Sequence, residues 1–306
     1  MSFPKEVFIK EVGPRDGLQN EKKLIPTEQK IAWIEKLVQT GLRYLEVTSF
    51  VHPKWIPQLA DSEQVVKHLP SHPDVTYAAL IPNRKGLERA LDTPIHEFSV
   101  FMSASEGHNK RNINKTIDET YSVLEEVVKE GKATGRNIRG YVSTVFGCPY
   151  DGDVAVSQVV KVSERLLEMG VDELSLGDTI GVANPRQVQQ VLYELTKYIP
   201  QEKIALHFHN TRGMALANVW AALEMGFTIF DSSLGGLGGC PYAKGASGNL
   251  ATDDLNHMLE SMGVETGIQT SQLMKAADFI QEAVGKSLPS HQMQIRNQMR
   301  KEEDNR

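Results

Sequence analysis

Cysteine is scarce: the 306-residue chain has two, Cys148 and Cys240. At most one bridge can form, which excludes a disulfide-stapled scaffold, and in a reducing compartment both stay thiols. Long apolar runs are missing; none approaches the ~18 uncharged residues a membrane-spanning helix needs. Positive charge is in deficit, with 33 Lys+Arg against 39 Asp+Glu and a net charge of -6. The densest basic patch, Lys110, Arg111 and Lys115, is too small for a nucleic-acid footprint. Met1–Val12 carries Lys5, Glu6, Lys10 and Glu11, so it reads as neither a signal h-region nor an acid-poor transit leader. A cytoplasmic location is expected. The composition that remains, 40% hydrophobic with 24 glycines, is that of an ordinary globular chain.

One theme repeats along it, a short β-rich stretch followed by an amphipathic one. The β-rich stretches are Val7–Val12, Tyr44–Thr48, Thr76–Ile81, Glu97–Met102, Arg139–Val145, Glu173–Leu176, Ile204–His209 and Thr228–Ser232. Helical periodicity marks Thr27–Thr40, Gln58–His68, Arg84–Leu91, Thr116–Thr134, Val156–Met169, Pro185–Tyr198, Leu216–Met225 and Thr252–Met262. Thr27 before Glu28 and Asn184 before Pro185 read as helix starts, and Gly41, Gly170, Gly226 and Gly263 as stops. Eight alternations predict an α/β fold, a single (β/α)8 TIM barrel, with a doubly wound open sheet as the fallback. No linker interrupts residues 1–270, which are expected to form the catalytic barrel. Residues 271–306 read as a short C-terminal appendage, a helix over Ser271–Val284 and then a frayed polar tail from Gln292 to Arg306.

In such barrels chemistry sits at the C-terminal ends of the strands, and four constellations fall there. His207 and His209 end the seventh strand at i, i+2, so both imidazoles face one side. With Asp16 two strands away around the closed barrel, they suit a six-coordinate Mg²⁺ or Mn²⁺ better than a thiolate-bound zinc. Arg15 and Asp16 follow the first strand; Asp16 can ligate, and Arg15 can face a developing oxyanion. Glu46, inside the apolar second strand, needs a partner, either Arg15 or the metal through water.

The third constellation is Gly235-Gly-Leu-Gly-Gly-Cys240-Pro-Tyr242, a flexible loop that can bring a thiol to a substrate. Cys148, in Phe146-Gly-Cys-Pro-Tyr150, is its competitor, and residue physics alone does not separate the two. The fourth is Gly245-Ala-Ser-Gly-Asn249, where Asn249 either offers a carbonyl oxygen to the metal or caps the next helix. Ser175, Asp178 and Thr179 likewise face the cavity or cap a helix.

Glu11-Val-Gly-Pro-Arg-Asp-Gly-Leu-Gln-Asn20, Leu206-His-Phe-His-Asn-Thr211 and Gly236-Leu-Gly-Gly-Cys-Pro-Tyr-Ala243 together resemble the 3-hydroxy-3-methylglutaryl-CoA lyase family of the DRE-TIM metallolyases, in its bacterial form. The likeness spans about residues 5–290. It implies Asp16, His207, His209 and Asn249 as metal ligands, Arg15 as the enolate stabiliser, Cys240 as the loop thiol of proton transfer, and Glu46 as the acidic member of the superfamily motif. Two departures stand out: Asn210, where many relatives carry aspartate, and the Ser233-Leu234 entry to the loop. The first is expected to alter support of the neighbouring imidazole. Neither a mitochondrial leader nor the cysteine-bearing tail of animal members is visible.

The implied reaction is a retro-Claisen cleavage of 3-hydroxy-3-methylglutaryl-CoA to acetyl-CoA and acetoacetate, in leucine degradation or ketone-body metabolism. A divalent metal, Mg²⁺ or Mn²⁺, an acyl-CoA substrate, a homo-oligomer (dimer or tetramer), and no nucleic-acid or membrane partner are expected. Lys22, Lys23, Arg111 and Lys115 are candidates for the CoA phosphates. The rivals are a Claisen synthase condensing acetyl-CoA with a 2-oxo acid, an aldolase of 4-hydroxy-2-oxo acids, and a non-catalytic metal- or acyl-CoA-binding barrel. Synthases usually append a large regulatory region and lack the loop cysteine.

Overall fold

The computed structural model describes residues 3–238 and 248–304. Its strands are β1 Phe8–Glu11, β2 Tyr44–Ser49, β3 Thr76–Leu80, β4 Glu97–Ser103, β5 Asn137–Ser143, β6 Glu173–Asp178, β7 Ile204–Phe208 and β8 Ile229–Ser232. They pair in parallel and in chain order, and β8 closes on β1 through Phe8↔Ile229 to Glu11↔Ser232. The TIM barrel expected from the alternation is therefore the fold, and the open sheet is not. Around it lie α1 Thr27–Val38, α2 Ser62–Lys67, α3 Arg84–Ala90, α4 Glu106–Ile113, α5 Ile117–Ala133, α6 Val156–Glu168, α7 Pro185–Leu195, α8 Ala215–Glu224, α9 Thr252–Ser261, α10 Thr270–Val284 and α11 His291–Asp304. Among the described residues, no helix is long and apolar enough to cross a membrane.

Local chemistry sets the boundaries. Asn184 accepts from Gln187 N–H and Pro185 opens α7, while Thr116 and Glu119 form a reciprocal capping box on α5. Gly41, Gly170 and Gly226 end α1, α6 and α8 at φ of +95°, +107° and +87°, the left-handed turn that feeds each following strand. Thr27 is not the cap of α1: Pro26 holds that place, and the Thr27 hydroxyl donates to Asp61 Oδ2 at 2.8 Å.

Two helices depart from the sequence expectation. α4 is polar and carries Gly107, so it shows no apolar stripe; Ser105 caps it by accepting from His108 N–H. The polar tail is helical as α11 rather than frayed. Asp254 accepts from the backbone of His291 and Gln292, Asp278 takes forked hydrogen bonds from Arg296 and one from Arg300, and Met293 is buried.

The barrel interior is unusually charged for a fold whose centre is normally filled by branched apolar layers. Lys10 donates to Glu173 at 2.6 Å and lies over the Tyr44 ring, whose hydroxyl donates to Glu97 at 2.7 Å. Arg139 is fully buried and is paired on every side, with Glu173, Asp231 and the Tyr141 hydroxyl. Charges without water are tolerated only when paired in this way. The network runs from the N-terminal end of the barrel to its mouth, where the candidate residues lie.

Candidate metal centre and active site

At the end of β1 the chain makes a single π-turn, Gly13–Gly17. The carbonyl of Val12 accepts from Arg15, Asp16 and Gly17 at 3.2, 2.7 and 3.3 Å, which pins the turn to one atom. Gly17 is required by packing: a Cβ there would sit 2.6 Å from Ser233 Oγ and 3.0 Å from Leu237 Cβ. The turn points Arg15 inward. Its Nε donates to Glu46 Oε2 at 2.5 Å and its Nη1 donates to Asp16 Oδ1. Tyr141 donates to the same Glu46 oxygen at 3.1 Å and places its ring 5.2 Å from the guanidinium carbon. The partner that Glu46 needs is therefore Arg15. Nη2 makes no hydrogen bond among the described residues, and Arg15 borders a cavity.

His207 and His209 lie on the same side of β7 and its continuation, ring centroids 5.3 Å apart. His207 pairs in register with Asp231 of β8; its Nδ1 lies 3.2 Å from Asp231 Oδ2, and its Nε2 lies 4.0 Å from Asp16 Oδ2. His209 bridges to Asn249 across an isolated backbone pair. The Asn249 amide donates to Asp16 Oδ2 at 2.8 Å and to Leu237 O at 3.0 Å. It does not cap α9, which starts at Ala251 without a side-chain cap.

The donor set fits a divalent cation. One ligand atom each from Asp16, His207 and His209 falls within 4.8 Å of the others. Among the described residues, His209 Nδ1 and Asn249 Oδ1 are buried without a hydrogen-bond partner, a cost that a cation would remove. The electrostatics agree. Burial pushes the Asp16 carboxyl up, but Arg15, with help from both histidines, outweighs it and holds Asp16 below the ordinary value. Burial and the neighbouring His207 push His209 down to about 3, so its imidazole is neutral at physiological pH. Burial disfavours the Asp231 carboxylate, yet Arg139 and His207 hold it well below the usual range.

Arg15, Asp16, Tyr141, His207 and His209 border a cavity of about 330 Å³ at the C-terminal end of the strands, walled on the apolar side by Val51, Ile56, Leu80, Phe101 and Val142. Ser175 and Thr179 border it too; Ser175 donates to Asp231 Oδ2 at 2.7 Å, and Thr179 accepts from Thr144 N–H. Asp178 caps nothing in α7 and instead accepts from Val182 and Ala183 N–H in the loop before it. Cys148 does not border the cavity. It opens on a groove beside α7, and its sulfur accepts from Ser105 Oγ at 2.8 Å and from Tyr150 and Asp151 N–H at 3.3 Å. Cys240, with the rest of 239–247, lies outside the described residues. Its stem is described: Gly238, at φ +99°, accepts from Asn249 N–H beside Asp16.

The side-chain oxygen of Asn210, the residue at which the chain departs from many relatives, accepts from Ala215 N–H at the start of α8. The other imidazole, His207, is supported by Asp231, which the sequence reading missed along with Arg139 and Tyr141. The rule that singled out Glu46, a carboxylate inside an apolar strand, also applies to Asp231 between Phe230 and Ser232. Gln19, which donates to Asp16 Oδ1 at 2.8 Å, carried no such signal.

The model of the HMGL-like family matches residues 6–280. The chain belongs to this family. It is 56% identical to the hydroxymethylglutaryl-CoA lyase YngG of Bacillus subtilis over 96% of this chain and 99% of that protein. The crystal structure of the Bacillus subtilis HMG-CoA lyase superposes with a TM-score of 0.96 at 56% identity, covering 97% of this chain and all of the other. An HMG-CoA lyase from Acinetobacter baumannii, solved with coenzyme A and 3-methylmalate, superposes at 0.90 with 40% identity, covering 95% of each chain. Membership in this HMGL-like family implies a divalent metal, for which the cluster at Asp16 is the candidate position.

Proposed function

We propose that the chain cleaves 3-hydroxy-3-methylglutaryl-CoA to acetyl-CoA and acetoacetate. One observation carries this reading: a three-residue cation cluster and a buried, half-paired arginine meet at one cavity on the functional end of the barrel. Asp16, His207, His209 and Asn249 would hold the metal, Mg²⁺ or Mn²⁺. When bound, it supplies Lewis acidity to the substrate's C3 oxygen and carboxylate.

The protein's own residues do the rest. The C3 hydroxyl gives up its proton, the C2–C3 bond breaks, C3 becomes the ketone of acetoacetate, and the electron pair moves into the thioester as an enolate. Arg15 directs Nη2, unpaired among the described residues, at the thioester oxygen, where negative charge develops, and Glu46 with Tyr141 keeps the guanidinium from turning away. Because the guanidinium is fixed before reaction, no reorganisation is needed as the charge forms. Cys240 is the proton-transfer group: its thiolate takes the C3 hydroxyl proton and the thiol so formed returns a proton to C2, a role typically worth ~10²–10⁴ in rate. Asp16 both ligates and anchors Arg15. The acyl-CoA lies along the mouth with its phosphates toward Lys22, Lys23, Arg111 and Lys115. The barrel of residues 1–270 carries the site and 271–306 braces it; the protein works in the cytoplasm as a homo-oligomer.

The deciding experiment incubates the protein with 3-hydroxy-3-methylglutaryl-CoA and Mg²⁺ or Mn²⁺ and assays acetoacetate. Release without any 2-oxo acid is expected. Consumption of acetyl-CoA that requires a 2-oxo acid would make the protein a synthase instead.

A further inference from the structure

We propose that Asp231 is a positioning residue for His207: it holds the hydrogen on Nδ1, so the ring presents its Nε2 lone pair toward Asp16. This rests on the reading of His207 as a ligand. Asp231 belongs to β8 and His207 to β7, and the two are register partners, so their side chains stand side by side on the inner face of the barrel. An ionised carboxylate only accepts hydrogen bonds. The Nδ1···Oδ2 contact of 3.2 Å therefore needs the hydrogen on the ring nitrogen. Arg139 grips the carboxylate from the other side, Nη2 on Oδ1 at 2.6 Å and Nη1 on Oδ2 at 3.1 Å, and Ser175 donates to Oδ2 at 2.7 Å. With every contact a donor, the carboxylate is fixed in place and in polarity. Across the ring, Nε2 faces Asp16 Oδ2 at 4.0 Å. Two electron-rich atoms aimed at each other at that distance leave the space a cation bridges.

The same Arg139 donates to the Tyr141 hydroxyl at 2.9 Å, and Tyr141 in turn reaches Glu46 and hence Arg15. One buried guanidinium thus braces both the metal side and the oxyanion side of the cavity. Asp231 is the branch that serves the metal alone.

Asp231→Asn makes the test sharp. The shorter Arg139 contact keeps the amide oxygen in the place of Oδ1, so the amide NH₂ falls where Oδ2 accepted. It then donates to His207 Nδ1, and the ring hydrogen moves to Nε2. Asp231→Asn is expected to weaken Mn²⁺ binding about 10- to 100-fold in a direct titration. In the metal-free, ¹⁵N-histidine-labelled protein, His207 is expected as the Nδ1–H tautomer in the parent chain and the Nε2–H tautomer in the variant. A merely structural role would leave that assignment unchanged. Parent-like Mn²⁺ binding in the variant, or Nδ1–H retained there, overturns the proposal. Should the variant not fold, the parent decides alone, since Nε2–H in the metal-free parent overturns it equally. His207→Ala separates the layers: unchanged Mn²⁺ binding there removes the ligand reading and this proposal together. Weakened binding in His207→Ala beside an unmoved Asp231→Asn overturns only the role of Asp231.

Discussion

Tyr141 donates to Glu46 Oε2 at 3.1 Å, the oxygen that also takes the Nε hydrogen of Arg15. The direction of the arginine is thus set by a carboxylate of β2 that is itself held by a phenol of β5. Tyr141→Phe removes the hydrogen bond to Glu46, about 1.5–3 kcal/mol for a charged acceptor, together with the one its oxygen takes from Arg139, and is expected to lower kcat/KM at least roughly 10- to 100-fold. Glu46→Ala removes the anchor itself and is expected to cost more. Steady-state kinetics on the two variants checks the order; a Glu46→Ala enzyme within threefold of the parent would show that Arg15 is oriented by Asp16 alone.

Metal binding is the second prediction. Chelation is expected to abolish turnover, and Mg²⁺ or Mn²⁺ to restore it. His207→Ala and His209→Ala each lose a ligand and are expected to weaken Mn²⁺ binding at least tenfold. A titration curve superposable on the parent's would remove that histidine from the centre. With His209 held down to about 3, its imidazole is not expected to limit metal affinity between pH 5 and 8.

Cys240→Ala is expected to lower turnover at least a hundredfold with metal affinity intact, since the role proposed for the thiol is to move a proton rather than to ligate. Cys148→Ala serves as the control, since Cys148 stands outside the cavity. A reversed pattern would transfer the proton role to Cys148.

The fourth prediction concerns pH. Burial raises Glu11 to about 7 from 4.5, against hydrogen bonds from Thr252, Leu234 and Gly13. Between those values the folded chain holds a proton that the unfolded chain has released. Glu11's contribution to stability therefore falls as pH rises through that window and levels off above it, by about 3 kcal/mol in all. Glu11→Gln keeps an acceptor for Gly13 and Leu234 but does not titrate. Its urea midpoint, compared with the parent's, is expected to gain between pH 5 and pH 8; an equal change in both proteins would mean Glu11 titrates near its ordinary value.

The C-terminal helix gives the fifth. Asp278 accepts from Arg296 and Arg300, which with the reciprocal Gln281–Asn297 amide pair tie the second half of α11 to α10. Asp278→Ala is expected to speed amide exchange in residues 296–304 at least tenfold while melting shifts by only a few degrees. Protection equal to the parent's would show that Met293, the Asp254 caps and the Gln281–Asn297 pair hold the helix without Asp278.

Much of this was legible in one dimension. The β/α alternation, the φ > 0 glycines and the i, i+2 histidines are local patterns, and the structure keeps them within a residue or two at most strand ends. α4 and α11 escaped because neither carries an apolar stripe; one is held by a serine cap, the other by carboxylates some twenty to forty residues upstream. Asn249 read equally as a cap or a site residue, since only the fold puts its amide beside Asp16.

The sequence by itself determined the barrel and which side chains are candidates for chemistry at its C-terminal end, because periodicity and residue type act at short range. Tertiary structure alone decided who faces whom. Arg139 braces Asp231 and Tyr141, Asp231 turns His207, and Glu46 aims Arg15, through contacts spanning 92, 24 and 31 positions of the chain between Arg139 and Asp231, His207 and Asp231, and Arg15 and Glu46. Buried charges must find partners wherever closure of the sheet brings them. That choice is made by the register between strands, which no local stretch of the chain encodes.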